Sequence, residues 1–331
     1  MTYMTRLLGA AAALALTAGA SLAEPALMYD LGGKFDKSFN EAAYNGAQRW
    51  ASDTANTYRE VEAQSEAQRE QIVRRFAEAG FNPVVVLGFQ NIATLETVAP
   101  DFPETRFVLI DGVVDQPNVR SVIFSEHEGS YLVGMLAGMK SESGTVGFIG
   151  GMDVPLIRKF ACGYAQGVMA ANPDATIVAN MTGTTPAAWN DPVKGAELTR
   201  AQIGQGADVV YAAAGGTGVG VLQAAADEGI FSIGVDSNQN YLHPGSVLTS
   251  MLKRVDNAVY QAFEDGPELE AGIQVLGLES EGVDFAVDEF NAELLDEEMI
   301  AAVNAAKEQI IAGELAVHDY TSDDTCPALT F

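Results

Sequence analysis

Short apolar runs alternate with helical patterns along almost the whole chain, and this alternation limits the possible folds more than any other feature. Residues 26–29, 83–87, 106–110, 121–124, 145–149, 176–180, 208–212, 231–235 and 247–250 read as strands. Amphipathic segments at 65–79, 128–139, 155–171, 192–204 and 219–228 fall between them, and a long polar helix over 292–312 precedes the C-terminal tail. Parallel strands cannot be joined by a tight turn, so each helical segment reads as a crossover. The strands are too many for one compact sheet of ordinary width, which predicts an α/β fold of two doubly wound parallel-sheet lobes. Ligands of such sheets gather beyond the carboxyl ends of the strands. Asp30, Asp111 and Asp236 each stand just after a predicted strand.

The first residues read as an address. Arg6 supplies a positive start, residues 7–17 form an Ala/Leu-rich apolar run, and Ser21-Leu22-Ala23 offers small residues before a cut at Glu24. Residues 1–23 are therefore expected to be a cleaved signal peptide and the mature protein to be periplasmic, with an uncleaved membrane anchor as the alternative. Nothing later in the chain approaches the run of about 20 apolar residues that a membrane span needs, so no direct membrane insertion is expected. Across its 331 residues the chain is 48% hydrophobic, enough for two cores.

The formal net charge is −27, and removing the leader takes away only Arg6 and no acid. A surface this acidic repels phosphate backbones and anionic lipid, which argues against nucleic-acid and membrane-surface partners. The two cysteines, Cys162 and Cys326, lie far apart and both survive processing. An oxidising compartment permits them to pair, and two buried free thiols are the alternative.

The turn Asp30-Leu-Gly-Gly-Lys-Phe-Asp-Lys-Ser-Phe-Asn40 carries more than a strand-to-helix connection requires. Such a turn needs a glycine or two and a cap. The bland reading is a loop with one core aromatic; Phe35 and Tyr44 read as packing and Asp36 as a helix cap rather than a ligand contact.

Enzyme readings find little support. Gly216-x-Gly218-x-Gly220 after a predicted strand, with Asp236 following 20 residues after Gly216, approaches a dinucleotide fingerprint but lacks its last interval. No Walker lysine or nucleophile elbow is present. His127, His243 and His318 stand alone, without metal-ligand spacing, so neither a metal nor a cofactor is expected. His127 reads as a surface or interlobe residue and Arg158-Lys159 as a solvated or structural helix end. If Asp30, Asp36, Asp111, Asp153 and Asp236 converge, they supply the carboxylates of a nucleoside hydrolase, the enzyme alternative.

Several separated motifs occur in order: Asp36-Lys-Ser-Phe-Asn40, Leu109-Ile-Asp-Gly-Val-Val-Asp115, Gly150-Gly-Met-Asp-Val-Pro-Leu-Ile-Arg-Lys-Phe160, Ala213-Ala-Gly-Gly-Thr-Gly218, Gly234-Val-Asp236 and Ser250-Met-Leu-Lys253. With these the chain resembles the basic membrane protein (BMP) family of ABC-transporter substrate-binding proteins, which includes a purine nucleoside receptor. The resemblance implies a type I periplasmic binding protein fold: two lobes, three hinge crossings and a ligand cleft between the lobes. Lobe 1 is expected to comprise 24–127 plus about 254–280, and lobe 2 to comprise 128–253 plus about 281–331. In that fold Cys162 lies early in a lobe-2 helix and the tail returns to the same lobe, so a Cys162–Cys326 disulfide is expected to pin the tail.

The resemblance also implies roles for single residues. Phe39 matches a base-stacking aromatic, and Asn40 and Asp30 match contacts to the base edge. Trp189 stands where the family carries a phenylalanine against the other face, with core packing as the alternative. Asp111, Asp236 and Lys253 match positions that hold ribose hydroxyls, and Gly215-Gly216 pass close enough for backbone contacts. The chain departs from the family in lacking a lipoprotein cysteine, in Lys34-Phe35 and in the loop 182–189. The expected function is delivery of a purine nucleoside, or a related base, to an ABC transporter permease, without catalysis. A ligand sensor for a signalling receptor is a further alternative.

Overall fold

The computed structural model describes residues 23–331, so the leader read over 1–23 lies outside the described residues except for Ala23. The chain begins with β1 (Ala26–Tyr29), α1 (Phe39–Thr54), β2 (Arg59–Glu62), α2 (Arg69–Glu78), β3 (Val84–Leu87), α3 (Ile92–Val98), β4 (Phe107–Ile110) and β5 (Val119–Phe124). It continues through α4 (Glu126–Lys140), β6 (Thr145–Met152), α5 (Pro155–Ala171), β7 (Thr176–Gly183), α6 (Pro192–Ile203), β8 (Val209–Ala213), α7 (Thr217–Asp227), β9 (Phe231–Asp236) and β10 (Val247–Lys253). Then come α8 (Val255–Asp265), β11 (Gly272–Leu276), β12 (Val283–Phe285) and α9 (Glu297–Ile311).

The strands form two sheets, in the orders β2-β1-β3-β4-β5-β11 and β7-β6-β8-β9-β10-β12. Every pairing is parallel except β10 with β12. The two sheets therefore repeat one plan, and β1, β3 and β4 of the first correspond to β6, β8 and β9 of the second. Central strands such as β1, β3, β4 and β8 are buried along their whole length, as a sheet covered by helices on both faces demands. The chain passes between sheets after β5, after β10 and between β11 and β12. These crossings brace one another: Ser125 N–H donates to Leu276 O at 2.9 Å, and Arg254 N–H donates to Gly282 O at 2.9 Å.

β2, β11 and β12 were not predicted. All three are edge strands; β2 (Arg-Glu-Val-Glu) is half-buried and β11 mostly exposed, so neither carries a buried strand's apolar run. The helix predicted over 292–312 divides into a short 3-10 helix (Ala292–Leu294) and α9, which is capped by Asp296, whose carboxylate accepts Met299 N–H at 2.8 Å. Its Met299, Val303 and Ala306 are buried, which a reading as wholly polar did not anticipate.

Cys162 and Cys326 are joined in a disulfide with their Cα atoms 5.6 Å apart. The tail is further held on α5 by Gln166, whose Nε2 donates to His318 O at 3.0 Å and whose Oε1 accepts His318 N–H at 2.9 Å.

Candidate ligand-binding site

Each doubly wound sheet has a switch point where successive strands run off in opposite directions, here between β1 and β3 and between β6 and β8. Both open into the same cavity between the lobes. Its walls are Asp30, Leu31, Asp36, Phe39, Asn40, Phe89 and Asp111 from the first lobe's loops, and Leu156, Ile157, Phe160, Trp189, Ala213–Gly215, Val235, Asp236 and Lys253 from the second's elements. Asp30, Phe39, Asn40, Asp111, Trp189, Gly215, Asp236 and Lys253 are thus brought together, and Gly216 lies one residue outside the lining.

Asp30 follows β1. Its Oδ1 accepts Leu31 N–H at 2.8 Å and Arg69 Nη2 at 3.2 Å. Burial raises its pKa to about 6, against the opposing pull of these donors. The carboxylate lies flat against Gly88, where a Cβ would meet its Oδ2 at 2.1 Å. Asn40 is largely committed to the loop: Nδ2 donates to Asp30 O and Gly33 O, both at 3.2 Å, and Oδ1 accepts Asp30 N–H at 3.1 Å. One Oδ1 lone pair is left for a ligand. Asp36 accepts the N–H groups of Ser38, Asn40 and Glu41 at the start of α1, at 2.8–3.1 Å, as a cap does. Its burial outweighs these donors and raises its pKa to about 7. Phe35 is not packed inside; it is 61% exposed and meets the half-buried Tyr44 edge-on at 5.3 Å.

Across the cleft, Trp189 ends a short helical turn (Pro186–Trp189) and lies over the backbone of Gly151 at the end of β6. Phe39 and Trp189 therefore face one volume from opposite lobes.

Asp111 and Asp236 occupy equivalent places at the ends of β4 and β9, and both adopt left-handed backbone, with φ of 69° and 63°. Asp111 Oδ2 accepts from Lys253 Nζ at 2.6 Å, while its Oδ1 is buried without a hydrogen-bond partner among the described residues. Asp236 accepts from Ser38 Oγ of the opposite lobe. Ser237 Oγ donates to Ser38 O at 3.0 Å and Gln239 Nε2 to Lys37 O at 2.9 Å, so the lobes meet directly beside the cavity. Burial raises both aspartates, Asp111 to about 6, while Lys253 opposes the shift. Burial also opposes the Lys253 charge, but Asp111, Glu126 and Asp236 outweigh it and hold the ammonium charged.

The residues missed in the sequence are Glu126 and Lys159. Lys159 is neither solvated nor at a helix end: it sits in the second turn of α5, buried, and its Nζ donates to Phe124 O at 2.7 Å. Glu126 Oε1 lies 3.0 Å from Lys253 Nζ and its Oε2 lies 3.0 Å from Lys159 Nζ. His127 is mostly buried, with Nδ1 3.9 Å from Asp319 Oδ2, and burial lowers its pKa to about 4. Asp153 pairs with Arg158 at 2.7 Å, turned to that partner rather than lining the cavity. Among the described residues, no group of three His, Cys, Asp or Glu is arranged to hold a metal ion. No described helix is long and apolar enough to cross a membrane.

Two repeated α/β lobes, three crossings and a site enclosed between them define a type I periplasmic binding protein. The chain belongs to the Bmp family, described as ABC transporter substrate-binding protein PnrA-like, which it matches over residues 24–320. An ABC transporter nucleoside-binding protein of Lactococcus lactis subsp. cremoris, BmpA, is 31% identical over 320 residues, with 88% of each chain covered. An uncharacterized lipoprotein of Pyrococcus furiosus is 34% identical over 281 residues, spanning 78% of this chain and 69% of the relative. An ABC transporter solute-binding protein of Aeropyrum pernix K1 superposes with a TM-score of 0.82 at 29% identity, over 91% of this chain and 95% of the other. A small-molecule ligand and a permease partner follow from this family.

Proposed function

We propose that this protein captures a purine nucleoside in the periplasm and presents it to an ABC importer, without chemical turnover. The observation that carries the reading is the placement of Phe39 and Trp189, from opposite lobes, on one cavity that also holds Asp111, Asp236 and Lys253. A flat ring between two aromatic faces gains about 1–3 kcal/mol per face. Hydrogen bonds between ribose hydroxyls and charged partners add about 1.5–3 kcal/mol each. Micromolar affinity requires roughly −8 kcal/mol net, which two faces and these contacts reach after ordering costs. The relative described as nucleoside-binding supports the same cargo. Lobes 24–127 plus about 254–280 and 128–253 plus about 281–331 close on the ligand about the three crossings.

Titration calorimetry with adenosine, guanosine, inosine and the free purine bases tests the proposal. Micromolar or tighter binding of a nucleoside is expected, with no free base released on prolonged incubation. Tight binding of an amino acid or a nucleotide, with no heat from any purine nucleoside or base, overturns it.

A further inference from the structure

Behind the cavity a line of charges runs from the ligand-facing lysine to the C-terminal tail. Lys253 Nζ is 3.0 Å from Glu126 Oε1, Glu126 Oε2 is 3.0 Å from Lys159 Nζ, and Lys159 Nζ is 3.5 Å from Asp319 Oδ2. Glu126 is 1% exposed, and neither of its oxygens accepts a directed hydrogen bond among the described residues. It is held by the two ammonium groups and by its place in the first turn of α4, beside that helix's free N–H groups. Burying a carboxylate this way is costly, and an apolar residue of similar volume serves a core at least as well. The helix start favours an acid at this position but does not by itself call for two buried lysines against it.

Its position suggests a further role. Lys253 is ringed by Phe39, Phe124 and Phe160, whose centroids lie 5.0–5.5 Å from its Nζ. Three aromatic faces attract a cation without fixing its direction. Two carboxylates, Asp111 and Glu126, supply the direction. Asp111 lines the cavity, and its Oδ1 is buried without a hydrogen-bond partner among the described residues, an acceptor that a ligand hydroxyl would satisfy. Glu126 is absent from the cavity wall and lies on the crossing that leaves β5.

We propose that Glu126 is a positioning residue for ligand recognition: its carboxylate, balanced by Lys159, fixes the Lys253 ammonium beside Asp111 so that the two together read a ligand's vicinal hydroxyls. The inference rests on the nucleoside reading of the cavity. Without Glu126, Lys253 leans harder on Asp111 and Asp236 and competes with the ligand for those carboxylates.

The test compares calorimetric affinities of guanosine, inosine and adenosine with those of their 2′,3′-dideoxy analogues. Glu126→Gln keeps the side chain's size and removes its charge. Its binding of the ribonucleosides is expected to fall about tenfold to a hundredfold, the range for a hydrogen bond to a charged group, with the dideoxy analogues nearly unchanged. If the single variant fails to fold because Lys159 loses its nearer carboxylate, Glu126→Gln combined with Lys159→Met keeps the local net charge while Lys253 still lacks Glu126. The same selective loss is expected there. Equal losses for both ligand sets, or none, overturn the positioning role while leaving the cargo intact. If no purine nucleoside binds the unaltered protein, the cargo reading and this role fall together.

Discussion

The ring of Trp189 occupies the space that a side chain at Gly151 would take: a Cβ on Gly151 would lie 2.1 Å from Cζ3 and 2.4 Å from Cε3. The aromatic wall of the second lobe therefore depends on a missing side chain at the end of β6. Gly151→Ala is expected to push the ring out of place and weaken nucleoside binding about tenfold. Trp189→Ala should weaken it tenfold to a hundredfold, the range for one lost stacking face. Calorimetry on both variants checks this, and an unchanged affinity in Gly151→Ala would show that the ring's position is immaterial.

Charge at the cavity separates a nucleoside from its phosphate ester. Asp30, Asp36, Asp111 and Asp236 line it against Lys253, whose ammonium is already engaged by Asp111 and Glu126. A nucleoside 5′-monophosphate is expected to give no measurable heat where the nucleoside binds. Asp236→Ala should cost a nucleoside far more affinity than it costs the free base, because only the nucleoside carries hydroxyls for that carboxylate. Equal losses for both would remove Asp236 from ribose recognition.

Asp36 gives the fold a pH dependence of definite sign. An unfolded aspartate releases its proton near pH 4, whereas burial holds the folded one to about 7. Between these values the folded state binds more protons, so stability falls as pH rises. The Asp36 contribution is fully present below about pH 4 and lost above about pH 7. Melting curves of the natural protein and Asp36→Asn from pH 5 to pH 8 should show the natural protein's advantage shrinking as pH rises. A gap that widens over this range would contradict the assignment.

The Cys162–Cys326 disulfide closes a loop with a sequence separation of 164 and fixes the tail to α5. Constraining so long a loop stabilises the folded state by about 2–4 kcal/mol. Cys326→Ser should lower the denaturant midpoint accordingly, and reductant should lower that of the natural protein but not of the variant. The result to the contrary is two titratable thiols in the denatured, unreduced natural protein.

Export sets the last expectation. The mature chain should begin at Glu24 and fractionate with the soluble periplasm, as N-terminal sequencing would read directly. A lipid-modified or uncleaved chain in the membrane fraction would be the contrary result.

The central strands were legible because a parallel sheet covered on both faces writes unbroken apolar runs, as in Val84–Leu87 and Phe107–Ile110. The edges β2 and β11 were not, because Arg59–Glu62 and Gly272–Leu276 are covered on one face at most and carry no such run, although the edge β7 was read over 176–180. The placement of Asp30, Asp111 and Asp236 at one cavity followed from their positions after strands, a property of topology that survives in one dimension. Glu126 and Lys159 were illegible for the opposite reason. Charged residues early in helices ordinarily face water, and only the convergence of α4, α5 and β10 buries Glu126 between Lys159 and Lys253. Phe35 misled because an aromatic in a loop usually packs, whereas this one lies outside against Tyr44.

The left-handed backbone at Asp111 and Asp236 has a further meaning. A non-glycine residue in that conformation costs on the order of 1 kcal/mol, and glycine avoids the cost. The chain accepts it at the same point of both repeated sheets, each time with a carboxylate turned into the shared cavity. Glycine at 111 would relieve that strain but strand the buried Lys253 ammonium, a loss of about 3–5 kcal/mol, so at this position the charge locks the strain in place.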